Sequence, residues 1–216
     1  EPLRRRLAER ARLARARAID DATDRLEATL EEAVVRGAPA DELVSLLFDG
    51  VAVWRWSGRD EALERFLVQR ITPVLWDAYR DKRWDDLRAL LRPLEEPVER
   101  LAERIVRDPA KLAYAAPCAQ IFVFRADAAA TLDAQIALAE RAVALCETHR
   151  NGRLVLADLL VERALRALDA AMPWSLNAAL DRAEDDVRRA MTLYPQLRRL
   201  DDARRRLVRM GRRPDE

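Results

Sequence analysis

Apolar residues recur at three- and four-residue spacing along most of the chain, the period of a helix with one buried face. Breaking residues cut that pattern into arms. From about Pro2 to Arg36, Leu3, Leu7, Ala11, Ala14, Ala18, Ala22, Leu26, Leu30 and Ala33 keep the spacing. More than half of these are alanines, so the long N-terminal helix they predict carries a weak stripe that buries little area. Gly37-Ala38-Pro39 ends it, a glycine followed by a proline being a helix stop. Three roles are open to this helix: a connection from an upstream domain, one strand of a coiled coil, or a helix packed on the first repeat.

From Asp41 the pattern reads as successive helical hairpins. Asp41 is expected as an N-cap, and Leu43, Leu46, Leu47, Val51 and Trp54 form one apolar face before Ser57-Gly58. A partner arm with Ala62, Leu63, Phe66 and Leu67 is expected to stop near Thr72-Pro73. Val74, Leu75, Ala78 and Tyr79 then lead to a polar turn at Asp81-Lys82-Arg83, and Trp84, Leu87, Leu90, Leu91 and Leu94 make a second arm. Pro93 and Pro97 predict a less regular stretch up to Pro109, although Val98, Leu101, Ala102 and Ile105 keep helical spacing.

Composition agrees with an all-α chain. Half of the 216 residues are hydrophobic, only 5 are Gly, and Ala, Leu, Arg and Glu dominate, residues that lose little rotamer freedom in a helix. Basic residues number 39 against 38 acidic, so no net field draws the whole surface to nucleic acid or to an anionic membrane. Lys82 and Lys111 are the only lysines, and the arginine bias is expected of a GC-rich bacterial genome. Cys118 and Cys146 lie far apart without a nearby histidine pair, which predicts neither a zinc site nor a disulfide framework and suits a reducing cytoplasm. No apolar run reaches the ~18 residues of a membrane span, and Glu1-Pro2-Leu3-Arg4-Arg5-Arg6 does not open a signal peptide. The first residue is not Met, as expected of a domain excised from a larger protein.

The C-terminal half allows a test for repetition. The stretches Leu138–Glu147 and Asp186–Pro195 align with Ala139 over Val187, Ala142 over Ala190, Leu145 over Leu193 and Glu147 over Pro195. Ala183, just before the second stretch, and Val187, Ala190, Leu193 and Pro195 within it have the spacing that closes a tetratricopeptide repeat, which this segment resembles. Leu156, Ala157 and Leu160, and likewise Cys118, Ala119 and Phe122, resemble the first helix of that motif. Glu147 and Pro195 are 48 positions apart, against about 34 for the family repeat. An insertion is therefore expected around Ala171-Met172-Pro173-Trp174-Ser175, with two long helices flanking it. Arg153 stands where the family has an aromatic.

The resemblance covers residues 109–210 well and 41–107 weakly. It implies a right-handed α-solenoid of stacked antiparallel helical hairpins; a generic helical-hairpin solenoid is the alternative. Four segments follow: the N-terminal helix over 1–37, degenerate hairpins over 38–108, tetratricopeptide-like hairpins with a capping helix from Gln196 to Arg209 over 109–210, and a tail over 211–216.

Few residues carry chemistry. His149, the sole histidine, is expected in a turn or as a helix cap. Asp20-Asp21, Asp85-Asp86, Asp185-Asp186 and Asp201-Asp202 are adjacent on helices and diverge by about 100°, so they predict helix N-terminal charges and solvated faces. No catalytic residue, metal site or cofactor is expected. The expected function is a cytoplasmic protein-protein interaction scaffold that grips a protein or peptide on the concave surface implied by the resemblance. Trp76, Tyr79, Gln120, Phe124, Asn151, Asp158 and Glu162 are the candidate partner contacts. Two alternatives stand beside it. Arginines from Arg4 to Arg17 and from Arg198 to Arg213 form basic stripes that suit nucleic acid, or the chain regulates a catalytic domain of the same polypeptide.

Overall fold

The computed structural model describes residues 2–58, 61–172 and 174–212. Among these the secondary structure is helical throughout, with no strand. The chain divides into two compact units, 1–121 and 122–216.

In the first unit α1 (Pro2–Val35) ends at Gly37, whose φ of 68° lies in the left-handed region that glycine adopts without a Cβ penalty. Residues 4–18 of α1 are exposed, although Arg15 donates to the Trp56 carbonyl at 3.0 Å, whereas Leu26, Leu30 and Ala33 are buried, so its apolar packing lies in its last turns. They meet α2 (Ala40–Trp56) and α3 (Glu61–Arg80) around Gly50. A Cβ there would stand 2.9 Å from Leu67 Cδ2 and 3.1 Å from Leu26 Cδ2, so glycine lets three helices converge.

The N-cap of α2 is Pro39, not Asp41. Pro39 is extended, its carbonyl accepts from the Leu43 N–H, and Asp41 sits with Glu42 in the first turn, where carboxylates favour the positive helix end. The expected stop at Thr72-Pro73 is also absent, and α3 runs through Pro73 to Arg80. Leu63, Leu67, Ile71, Leu75 and Ala78 form one enclosed face across the proline. Pro73 and Gln69 are on the solvent side, where water can take up the carbonyl that proline leaves unbonded. Val74–Tyr79 is thus the end of α3 rather than a separate arm.

The turn at 81–83 forms as expected, with Lys82 at φ 56°. It leads into α4 (Trp84–Leu91), a 3-10 turn over Arg92–Leu94, α5 (Glu95–Arg107), a second 3-10 segment over Pro109–Tyr114 and α6 (Ala115–Ala128), within which the two units divide. α2 packs more extensively on α4 than on α3, and α3 packs on both α4 and α5. The first unit is therefore less simply paired than a run of consecutive hairpins.

In the second unit α7 (Leu132–Leu145) starts from Thr131, whose hydroxyl accepts from the Ala134 N–H at 3.3 Å. The expected capping role of His149 is observed: Nδ1 accepts from the Gly152 N–H at 3.1 Å at the start of α8 (Arg150–Ala170). Burial lowers the pKa of His149, which keeps Nδ1 available as an acceptor. α9 (Leu176–Leu193) is the main partner of α8, and both are long, as the insertion predicts. Within that insertion Pro173 lies outside the described residues. Leu156, Ala157, Leu160, Ala164, Ala183, Val187 and Ala190 share one core cluster. Leu193 is half-buried and Pro195 exposed.

The last helix, α10 (Arg198–Arg209), starts two residues after Gln196 and buries Leu200, Ala203 and Leu207. Its arginines are laced to the hairpin. Arg199 pairs with Asp158 and Glu162, and Arg206 with Asp169 at 2.6 Å. Just beyond the helix, Arg212 reaches Asp181 at 2.6 Å. The C-terminal basic stripe is thus largely neutralised within the chain; of the expected tail only Gly211 and Arg212 are described, and Arg213 lies outside the described residues.

Candidate functional site

The end of α3 and the start of α4 bring three aromatic rings together. Trp76 meets Tyr79 edge-to-face at 5.8 Å between centroids, and Tyr79 meets Trp84 in the same manner at 5.6 Å. Such T-shaped pairs align the ring edge with the partner's π face. Trp76 and Trp84 each keep 38% of their surface exposed, so the corner is held from within yet open outward. The charges around it are mutually satisfied: Arg80–Asp77 at 2.7 Å, Arg83–Asp86 at 2.7 Å and Arg88–Asp85 at 2.9 Å. Pre-ordered aromatic rings framed by arginines are the composition that concentrates binding energy in protein interfaces. Trp76 and Tyr79 were legible as candidates from the sequence. Trp84 was not, although its place directly after the three-residue turn was the available signal.

The remaining candidates do not join this corner. Phe124 is fully enclosed and Gln120 is 5% exposed, which takes both off any open contact face. Ile121, Phe122 and Val123 are enclosed too, so five consecutive positions from Gln120 to Phe124 leave no open side on this turn of the helix. Asn151 lies half-buried in the first turn of α8. Asp158 and Glu162 are engaged by Arg199 of α10, and Glu162 also takes Arg166 at 2.7 Å. The hydrogen bonds from Arg199 and then Arg166 hold the Glu162 pKa below the usual value. These two carboxylates attach the last helix to its hairpin.

Two buried acids escaped the sequence pattern. Asp186, expected on a solvated face, is 7% exposed and takes the Arg163 guanidinium through both oxygens, at 2.8 and 2.6 Å. This fork-to-carboxylate pair ties α8 to α9. Glu64 on α3 is fully buried, and neither of its oxygens has a partner at full hydrogen-bonding geometry. Arg104 Nε of α5 stands 3.5 Å from Glu64 Oε1. The same guanidinium donates to Glu61 at 3.0 Å, and Lys111 donates to Glu61 at 2.6 Å. Burial pushes the Glu64 pKa up to about 7 against the pull of Arg104 and the Trp54 indole, whereas Lys111 and Arg104 hold Glu61 low. The signal for Glu64 was its register, since it stands in line with Val68, Ile71 and Leu75 on the buried face.

Cys118 is buried, Cys146 is half-buried, and neither is in a disulfide among the described residues. Among the described residues no group of three or more His, Cys, Asp or Glu side chains is placed to hold a metal ion, and no helix is long and apolar enough to cross a membrane. In comparisons with known proteins, no family model, no curated protein and no solved structure matches this chain.

Proposed function

We propose that the chain is a protein-docking module built from stacked antiparallel helical hairpins of the tetratricopeptide-like kind, and that Trp76, Tyr79 and Trp84 anchor its partner. The observation that carries this reading is the open, edge-stacked aromatic corner. The repeat-like reading draws support from the second unit, where Ala157, Ala183 and Ala190 are fully enclosed in the register that resembles the family. A partner in a separate protein and a catalytic domain elsewhere in the same polypeptide would use the corner alike.

A second reading, nucleic-acid binding, is favoured by one observation. Arg4, Arg5, Arg6, Arg10, Arg12, Arg15 and Arg17 are exposed on α1, where Glu9 is the one acid among them. One experiment separates the two. The chain, immobilised, is used to capture binders from a lysate of its source, with and without nuclease. Capture that survives nuclease and falls about 30-fold in affinity in Trp76→Ala and Trp84→Ala, the loss of a ~2 kcal/mol anchor, supports the docking corner. Capture lost to nuclease and indifferent to both substitutions transfers the function to the α1 arginines.

A further inference from the structure

The second unit contains a cleft of about 330 Å³ where the turn before α8 meets the turn between α9 and α10, lined by Thr148, Arg150, Arg153, Tyr194 and Gln196 among others. Its two arginines are anchored differently from those of the lacing. Arg163, Arg199, Arg206 and Arg212 each meet a carboxylate. Arg150 instead donates to the Tyr194 hydroxyl at 3.4 Å, and Arg153 donates to the Thr192 carbonyl at 3.2 Å. Among the described residues neither pairs with Glu147 or Asp158, the nearest acids in sequence, and the first turn of α8 has no acidic residue. Two guanidinium groups are therefore held at the wall of one cleft by neutral acceptors, with donors to spare and no carboxylate partner among the described residues.

We propose that this cleft binds a phosphate monoester, with Arg150 and Arg153 supplying the countercharge and Thr148, Tyr194 and Gln196 the remaining hydrogen bonds. Two positive charges match a dianion, and the planar forks of arginine suit phosphate oxygens. The volume is at the lower end of small-ligand sites, which run from roughly 300 Å³ upward, and leaves room for the phosphate and a short attached group. The site stands on residues of the second unit alone and is independent of the aromatic corner.

The test is a titration of the isotope-labelled full chain with inorganic phosphate at constant ionic strength, read by amide and arginine Nε resonances. Saturable shifts confined to Thr148, Arg150, Arg153 and Gln196 are expected, with about tenfold weaker binding in Arg150→Gln and in Arg153→Gln. Arg153→Lys, which keeps the charge and loses the fork, should fall between. Shifts that never saturate, that chloride reproduces, or that spread over the arginines of α1 and α10 overturn the proposal. So does malonate binding as tightly as phosphate. Because the wild-type shift map is decisive, the test stands even if a variant fails to fold. Glycerol phosphate and a phosphoserine peptide then distinguish a free metabolite from a modified protein as the source of the group; preferential binding of either supports the site.

Discussion

Replacing Glu64 by Gln should abolish most of the pH dependence of stability in the first unit between about pH 4.5 and 7. The native Glu64 carboxyl titrates near 7 against an ordinary value of 4.5. Between those values the folded chain holds a proton that the unfolded chain has released, so stability falls as pH rises. Below 4.5 both states are protonated and the penalty is absent; above 7 it is complete. A shift of this size corresponds to about 3 kcal/mol. Glutamine has nearly the same shape and never ionises, so the stability of the variant relative to the native chain should climb by about 3 kcal/mol across the window and then level off. The contribution of His149 has the opposite sign, because its lowered pKa makes acid the destabilising side, and it cancels in the difference between the two proteins. Urea unfolding followed by tryptophan fluorescence measures this, since four of the five tryptophans, Trp54, Trp56, Trp76 and Trp84, lie in the first unit and the fifth, Trp174, is already 84% exposed in the folded chain. Parallel stability curves for the two proteins from pH 4 to 8 would show that Glu64 is hydrated or paired in solution.

Ala157→Leu should be the most disruptive single change at the α8–α9 seam, at about 3 kcal/mol. Ala157 is fully enclosed in the cluster that contains Ala183, Val187 and Ala190. The added carbons have no void to fill and must push the two helices apart or force strained rotamers, the upper range for overpacking. Ala178→Leu is the matched control. It makes the same chemical change on an exposed position of α9 and should move stability by less than about 0.5 kcal/mol. Circular dichroism during urea unfolding reads both. Equal effects from the two substitutions would mean that the seam is not close-packed and would remove the main support for a tetratricopeptide-like hairpin.

Helix identity was legible wherever one apolar face was long enough to fix it. Leu43, Leu47, Val51 and Trp54 are buried as their spacing requires, and small residues of α8 and α9 are enclosed in one core cluster. Pro73 misled because a local rule was weighed alone. The cost of about 3 kcal/mol for an internal proline is offset when enclosed positions on both sides, from Leu67 to Ala78, demand one continuous helix. Asp41 misled more mildly, since Pro39 fixes the entry of the chain two residues earlier. The contact candidates suffered from a different gap. Whether Phe124 or Trp76 faces out depends on which other helices cover it, and helical periodicity contains no such information. Glu64 shows the same limit in reverse, as a charge on a buried face that only tertiary packing encloses.

The ionic lacing of α10 has a thermal consequence. At 25 °C each exposed pair contributes less than about 1 kcal/mol, and the buried Leu200, Ala203 and Leu207 do most to hold the helix in place. Heating changes that ratio. The hydration of free ions becomes less favourable as temperature rises, so bringing them together costs less, while the gain from apolar burial flattens. Arg199, Arg206 and Arg212 therefore carry a growing share of the attachment. α10 is fastened by the kind of contact that weakens least on warming, and it is expected to melt together with α8 and α9 rather than ahead of them.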